Sequence, residues 1–201
     1  NTGLERAATS GDLGQYSIPL LPVGEYDITA KAQGFNETKV GPVRVGVGQM
    51  VTLALRLTVG AVTEQVTVEA AAAALETTRT SVATTVDSNQ VANLGLNGRD
   101  FLNFLLLTPG GTRDVRTGDL SFGGQRGTLN VIQVDGADNM NNFFGQALGR
   151  TGTGRAPYQF SVDSVEEFQV NSNSYTAEFG RAGGAVVNVV TRSGTNEYHG
   201  S

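Results

Sequence analysis

From Gln15 onward, apolar and polar positions alternate with a period of two, the spacing of strands with one buried face. Tyr16 and Ile18 fall on one side, ahead of the turn Pro22-Val23-Gly24. Glu25 to Ala32 then sets Tyr26, Ile28, Ala30 and Ala32 inward and Glu25, Asp27, Thr29 and Lys31 outward. Val43, Val45 and Val47 repeat the pattern, as do Val51, Leu53, Leu55 and Leu57. Turn residues at Ser10-Gly11-Asp12, Gly34, Gly46 and Gly48 separate these runs. The spacing predicts four or five short strands in a small β-sandwich, with one polar face per sheet.

The pattern then changes. Val62 to Ala70 reads VTEQVTVEA, and Ala70 to Ala74 is an Ala tract running into LETTRTS, the polar texture of a linker. Beyond it, Asp87 with Gln90 three residues on predicts a capping box for a short helix through Leu94. Asn97 caps a second predicted helix, with Asp100 in its first turn and Phe101, Leu102, Phe104, Leu105 and Leu106 as its buried side. Thr108-Pro109-Gly110-Gly111 stops it. A Gly-rich stretch from Leu120 to Gly127, a strand over Leu129 to Val134 and an Asp135-Gly136 turn follow. Asp138 to Gly154 reads as a loop rich in Asn and Gly. Further strands are predicted near Val165 to Val170 and Ala185 to Thr191, with Arg181-Ala182-Gly183-Gly184 between them.

Composition narrows the chemistry. The chain has 201 residues, 39% hydrophobic and 16% charged, with 27 Gly, which argues against a coiled coil or helical bundle. Two Lys and a formal charge of −5 leave no electrostatic footprint for nucleic acid. No apolar run approaches the ~20 residues of a membrane-spanning helix. Cys is absent and His199 is the single histidine, so neither a zinc site nor a Ser–His–Asp triad has its usual parts. Neither Lys31 nor Lys39 follows a Gly, as a phosphate-binding loop requires, and Gly149, Gly152 and Gly154 lack dinucleotide spacing. Asp135, Asp138 and Asn139 offer oxygens without the twelve-residue calcium loop. Glu166 and Glu167 are adjacent on a strand, so simple alternation sends them to opposite faces. Gly183-Gly184 is either an anion nest or a point of close backbone packing. The expectation is no enzyme, no metal and no cofactor.

Two resemblances add to this reading. Thr2-Gly3, Gly14-Gln15-Tyr16-Ser17-Ile18, Leu21-Pro22-Val23-Gly24-Glu25-Tyr26 and Gly34-Phe35 resemble the carboxypeptidase-regulatory-like domain, a transthyretin-like β-sandwich. That family carries one or two strands before the Thr-Gly turn, so an N-terminal strand is expected to be missing and the chain to be a fragment. From about 81 to 195 the chain resembles the plug of TonB-dependent outer-membrane receptors of the Oar-like group. The segments are LNGRDFLNFLLLTPGG (Leu96 to Gly111), GQRGTLNVIQVDGADN (Gly124 to Asn139), SVDSVEEFQV (Ser161 to Val170) and FGRAGGAVVNVVTRSGTNEYHGS (Phe179 to Ser201). In that setting Arg99, Arg126 and Arg181 would pair with carboxylates on a barrel wall. EQVTVEA, comprising Glu64, Gln65, Val66, Thr67, Val68, Glu69 and Ala70, resembles a TonB box, an extended segment that a partner's sheet edge captures as an added strand. The alternative is that Val66 and Val68 close the preceding sandwich as its last strand.

The sequence thus predicts a mainly β chain with a few short helices and no membrane barrel of its own. Its expected parts are a regulatory-like sandwich over 1–61, a linker with a candidate TonB box over 62–80, a plug over 81–197, and the start of a first barrel strand over 198–201. The resemblance implies gated import at the periplasmic side of the outer membrane. TonB, the chain's own C-terminal β-barrel, and a small-molecule, oligosaccharide or peptide substrate are the implied partners. The alternative function is a secreted adhesion or carbohydrate-binding module.

Overall fold

A computed structural model of the chain describes residues 3–60, 65–69, 81–95, 101–115, 117–141, 146–147, 161–194, 196 and 198. It divides into two units, Asn1–Arg79 and Thr80–Ser201. In the first, β1 (Gly24–Ala30) alternates as its sequence predicts, with Tyr26, Ile28 and Ala30 half-buried and Glu25, Asp27 and Thr29 exposed. It pairs antiparallel with β2 (Glu37–Val45), Tyr26 opposite Val43 and Ile28 opposite Val40. One residue on β1, Asp27, therefore faces two on β2, a bulge at Gly41-Pro42. The bulge switches the parity of burial along β2. Asn36, Thr38 and Val40 are buried before it, and Val43 and Val47 after it. Gly41 is required here because a Cβ would run into the Asp27 side chain. β3 (Gln65–Glu69) lies parallel to β2, giving the order β1-β2-β3.

Two predicted strands are not ladder strands. Tyr16 to Ile18 and 51–57 join no ladder among the described residues. The apolar alternation survives as burial, since Val51, Leu53, Leu55 and Leu57 are half-buried and the residues between them exposed. Isolated bonds tie these segments down. The Tyr16 hydroxyl donates to Leu53 O at 2.8 Å, Asn36 N to Thr58 O at 2.9 Å, and Phe35 bridges Val59. Periodicity states which side faces inward; it does not state which backbone becomes the partner.

In the second unit, β4 (Val82–Val86) leads into α1 (Ser88–Asn93). The predicted capping box is present, with Gln90 N bonded to Asp87 Oδ1 at 2.9 Å and Asp87 N to Gln90 Oε1 at 3.2 Å. The second predicted helix is a 3₁₀ helix, Phe101–Leu107. Three residues per turn bury Phe101 and Phe104 on one stripe and Leu102 and Leu105 on the next. Leu106, predicted to be buried, falls on the third stripe and is exposed. A hairpin of β5 (Gly111–Arg113) and β6 (Leu120–Phe122) follows, then a 3₁₀ turn at Gly127–Leu129 and β7 (Val131–Val134). β8 (Ala137–Asp138) runs into the loop predicted over Asp138 to Gly154, which itself contains the short strands β9 (Met140–Asn141) and β10 (Gln146–Ala147).

β11 (Val165–Asn173) and β12 (Val186–Thr191) complete a five-stranded sheet of order β4-β11-β12-β7-β8. All its pairs are antiparallel except β12 with β7. One face carries the core, in which Phe101, Leu105, Phe168, Val170, Val187 and Val189 are essentially inaccessible. Phe104 and Phe168 meet with ring centroids 6.0 Å apart. Each fully buried side chain of this size contributes about 1.5–3 kcal/mol. Among the described residues no helix is long and apolar enough to cross a membrane, and no described sheet closes into a barrel.

Candidate partner-binding strand

Of the seven candidate residues, Gln65, Val66, Thr67, Val68 and Glu69 form β3, while Glu64 and Ala70 lie outside the described residues. The pairs run from Glu37 opposite Gln65 to Gly41 opposite Glu69. At the backbone level the segment is thus the outer strand of the first sheet, the position the closing-strand alternative assigns it. That placement leaves it an edge strand among the described residues. The two edges differ in chemistry. β1 carries exposed Glu25 and Asp27, and Asp27 pairs with Lys39 at 3.2 Å, a charged fringe of the kind that discourages strand addition. β3 has Val66, Thr67 and Val68 at its centre, with no charge there and no Pro.

The tempting residues of the second unit are occupied by local structure. Gly183 N and Gly184 N both donate to Leu129 O, at 2.8 and 3.1 Å, so these donors serve close backbone packing and not an anion. Asn130 sits beneath them, 5% exposed. Its Nδ2 donates to Leu120 O at 2.6 Å and its Oδ1 accepts from Ala185 N at 2.9 Å. Asp135 and Gly136 both have positive φ, +50° and +80°, the two-residue turn that joins a hairpin with matching twist. Asp135 accepts from Thr191 N and Oγ1 at 2.9 and 2.7 Å. Asp138 accepts from Met140 N at 3.0 Å and from Arg181. Among the described residues no three His, Asp or Glu side chains gather into a metal-holding group.

Glu166 and Glu167 are not related by simple alternation along β11. Val165 pairs with Thr191 and Glu167 with Val190, so a bulge at Glu166 breaks the period. What separates the two is burial: Glu166 is half-exposed and 3.7 Å from Arg192, while Glu167 is 2% exposed. Arg126 is on the exposed surface beside the 3₁₀ turn, and Arg99 and His199 lie outside the described residues. Burial raises the Tyr16 hydroxyl above its ordinary pKa.

Sequence reasoning missed one feature. Thr85, Gln169, Asn188, Gln133 and Asp138 pair successively across all five strands, forming one lateral row of polar residues on the face opposite the core. Gln169 Nε2 donates to Thr85 Oγ1 at 3.4 Å within it. The signal was present as single Gln and Asn residues interrupting Val-rich strands, but only register lines them up. A cavity of about 20 Å³, lined by Leu102, Asp119, Leu120, Asn130, Ile132 and Met140 among others, is far below the ~300 Å³ of a ligand site.

Comparison with known proteins follows the division of the chain. Residues 1–58 match the carboxypeptidase regulatory-like domain family. The whole chain is homologous to the TonB-dependent transporter Oar of Myxococcus xanthus, 28% identical over 205 residues that cover 98% of this chain and 18% of that protein. The chain therefore spans about a fifth of that relative's length. Similar solved structures include the outer membrane transporter YddB from Escherichia coli, at 17% identity and TM-score 0.44 over 55% of this chain and 17% of that one. The ferric enterobactin receptor mutant R480A from Pseudomonas aeruginosa (PfeA) is 19% identical, at TM-score 0.45 over 59% of this chain and 18% of that one.

Proposed function

We propose that this chain is the gating and energy-coupling region of a TonB-dependent outer-membrane transporter, working from the periplasmic side. Residues 1–61 form its regulatory-like domain, 62–80 a linker carrying the TonB box at Glu64 to Ala70, 81–197 the plug, and 198–201 the opening of the first barrel strand. The plug closes the lumen of the transporter's own β-barrel and takes no catalytic part. A substrate, whether small molecule, oligosaccharide or peptide, meets it from outside, and TonB captures the box and draws on the plug through the linker. The observation that carries this reading is homology to a TonB-dependent transporter along 98% of the chain, through both units and the stretch between them.

Strand capture has a distinctive signature. Its affinity resides mainly in backbone hydrogen bonds, each worth about 0.5–1.5 kcal/mol net. Truncation of Val66→Ala is therefore expected to weaken binding of the purified TonB periplasmic domain by only a few-fold. Val66→Pro or Val68→Pro removes a donor and fixes φ, and binding should fall by at least about tenfold. Because these residues also pair with β2, melting of the first unit is recorded on the same variants. Pro variants that bind TonB as the parent does would show that this stretch is not the box.

A further inference from the structure

We infer that the first unit offers Gln65–Glu69 to TonB as an assembled edge: the incoming strand adds to the side of β3 that no described strand occupies and makes the three-stranded sheet four-stranded, with β3 still seated on β2. The inference rests on reading Glu64 to Ala70 as the TonB box, and it decides between two ways such a box can work. A box on a loose tether is captured from an unstructured state. A box docked on its own domain is either released first or used in place.

Geometry favours use in place. Backbone N–H and C=O groups of successive strand residues point to opposite sides, so pairing with one neighbour leaves alternate groups facing away. β3 is the last strand in its sheet among the described residues, so TonB has an edge to join without displacing anything described. Release carries costs that addition avoids. It strips the ladder partner from Glu37 to Gly41 and uncovers the flank of a strand that holds Thr38 and Val40, which are 2% and 6% exposed. It also returns five ordered residues to a flexible state, and TonB must then order them again. Edge chemistry points the same way. An uncharged β-branched centre on an edge that no described strand occupies invites strand addition, and β1 at the opposite edge carries exposed Glu25 and Asp27.

Amide hydrogen exchange on the full chain, with and without the purified TonB periplasmic domain, separates the possibilities. Before TonB is added, amides of Gln65–Glu69 should already show alternating protection; uniformly fast exchange there overturns the docked strand. On addition, the remaining amides of Gln65–Glu69 should slow by at least about tenfold while those of Glu37 to Gly41 keep their protection. Slowing at Gln65–Glu69 with loss of protection at Glu37 to Gly41 means that TonB binds the box only after release. That outcome overturns this inference and leaves the box reading standing. TonB binding without any change at Gln65–Glu69 places the box elsewhere and removes both.

Discussion

Asn130 ties two backbone segments of the second unit together, and its removal can be costed. Its amide joins Leu120 O, at the start of β6, to Ala185 N, just before β12, by bonds of 2.6 and 2.9 Å. Asn130→Ala orphans both backbone groups. Ala185 is fully buried and Leu120 is 8% exposed, so neither has ready access to bulk water. An orphaned buried group costs about 1–3 kcal/mol, so the two together set a range of about 2–6 kcal/mol. The adjoining cavity of about 20 Å³ borders Leu120 and grows when the amide is removed, so a water can replace the Leu120 bond but not the one to Ala185. The expected loss is therefore about 3 kcal/mol. Urea unfolding followed by far-UV circular dichroism suits a chain without Trp. With m of about 1–3 kcal/mol/M, the midpoint of the second unit should fall by at least about 1 M, while the first unit's transition serves as an internal control. A loss below about 1 kcal/mol would refute the reasoning, because it would mean that solvent reaches Ala185 N.

Three further outcomes are expected. Gly184→Ala places a Cβ against Asn130 Oδ1 and should cost as much as losing the asparagine. The two changes act on the same bonds, so in a double-mutant cycle their combined effect should fall at least about 1 kcal/mol short of the sum. Tyr16 holds its proton more tightly folded than unfolded, so its contribution is complete below the unfolded value near 10 and is lost as pH rises through the higher folded value. The first unit of the parent should accordingly lose stability between pH 9 and 11 more steeply than that of Tyr16→Phe, measured by urea midpoints. Limited trypsin digestion of the intact chain should cut first at Arg79, the residue that ends the first unit, and early products from cuts within Glu25 to Leu57 would count against that division.

Local chemistry was legible in the sequence, and pairing was not. The capping box of Asp87 and Gln90 needs only residues three apart, so it could be read outright. β12 announced itself through the Val-rich run VVNVVT, which is buried along most of its length. The misreadings share a cause. Leu106 belongs to the buried side of the predicted helix, but the chain winds at three residues per turn there and leaves it exposed. The Gly41-Pro42 and Glu166 bulges each insert one residue and reverse the parity that alternation relies on. At 51–57 the inward side was correct and the backbone partner was missing, because side-chain pattern and backbone pairing are separate constraints.

The candidate strand brings those two constraints together. Read as sequence, EQVTVEA admitted a free box and a closing strand as competing assignments, since both need an extended, β-branched segment. The structure seats Gln65–Glu69 on β2 and leaves it outermost among the described residues. Competition between the assignments assumed that a strand has one partner. A strand in a sheet has two edges, and occupation of one by β2 fixes the conformation that the other presents. The charges of Glu25 and Asp27 on the far edge then acquire a reason. Exposed charges disfavour strand addition at β1, whereas the centre of β3, Val66, Thr67 and Val68, carries none.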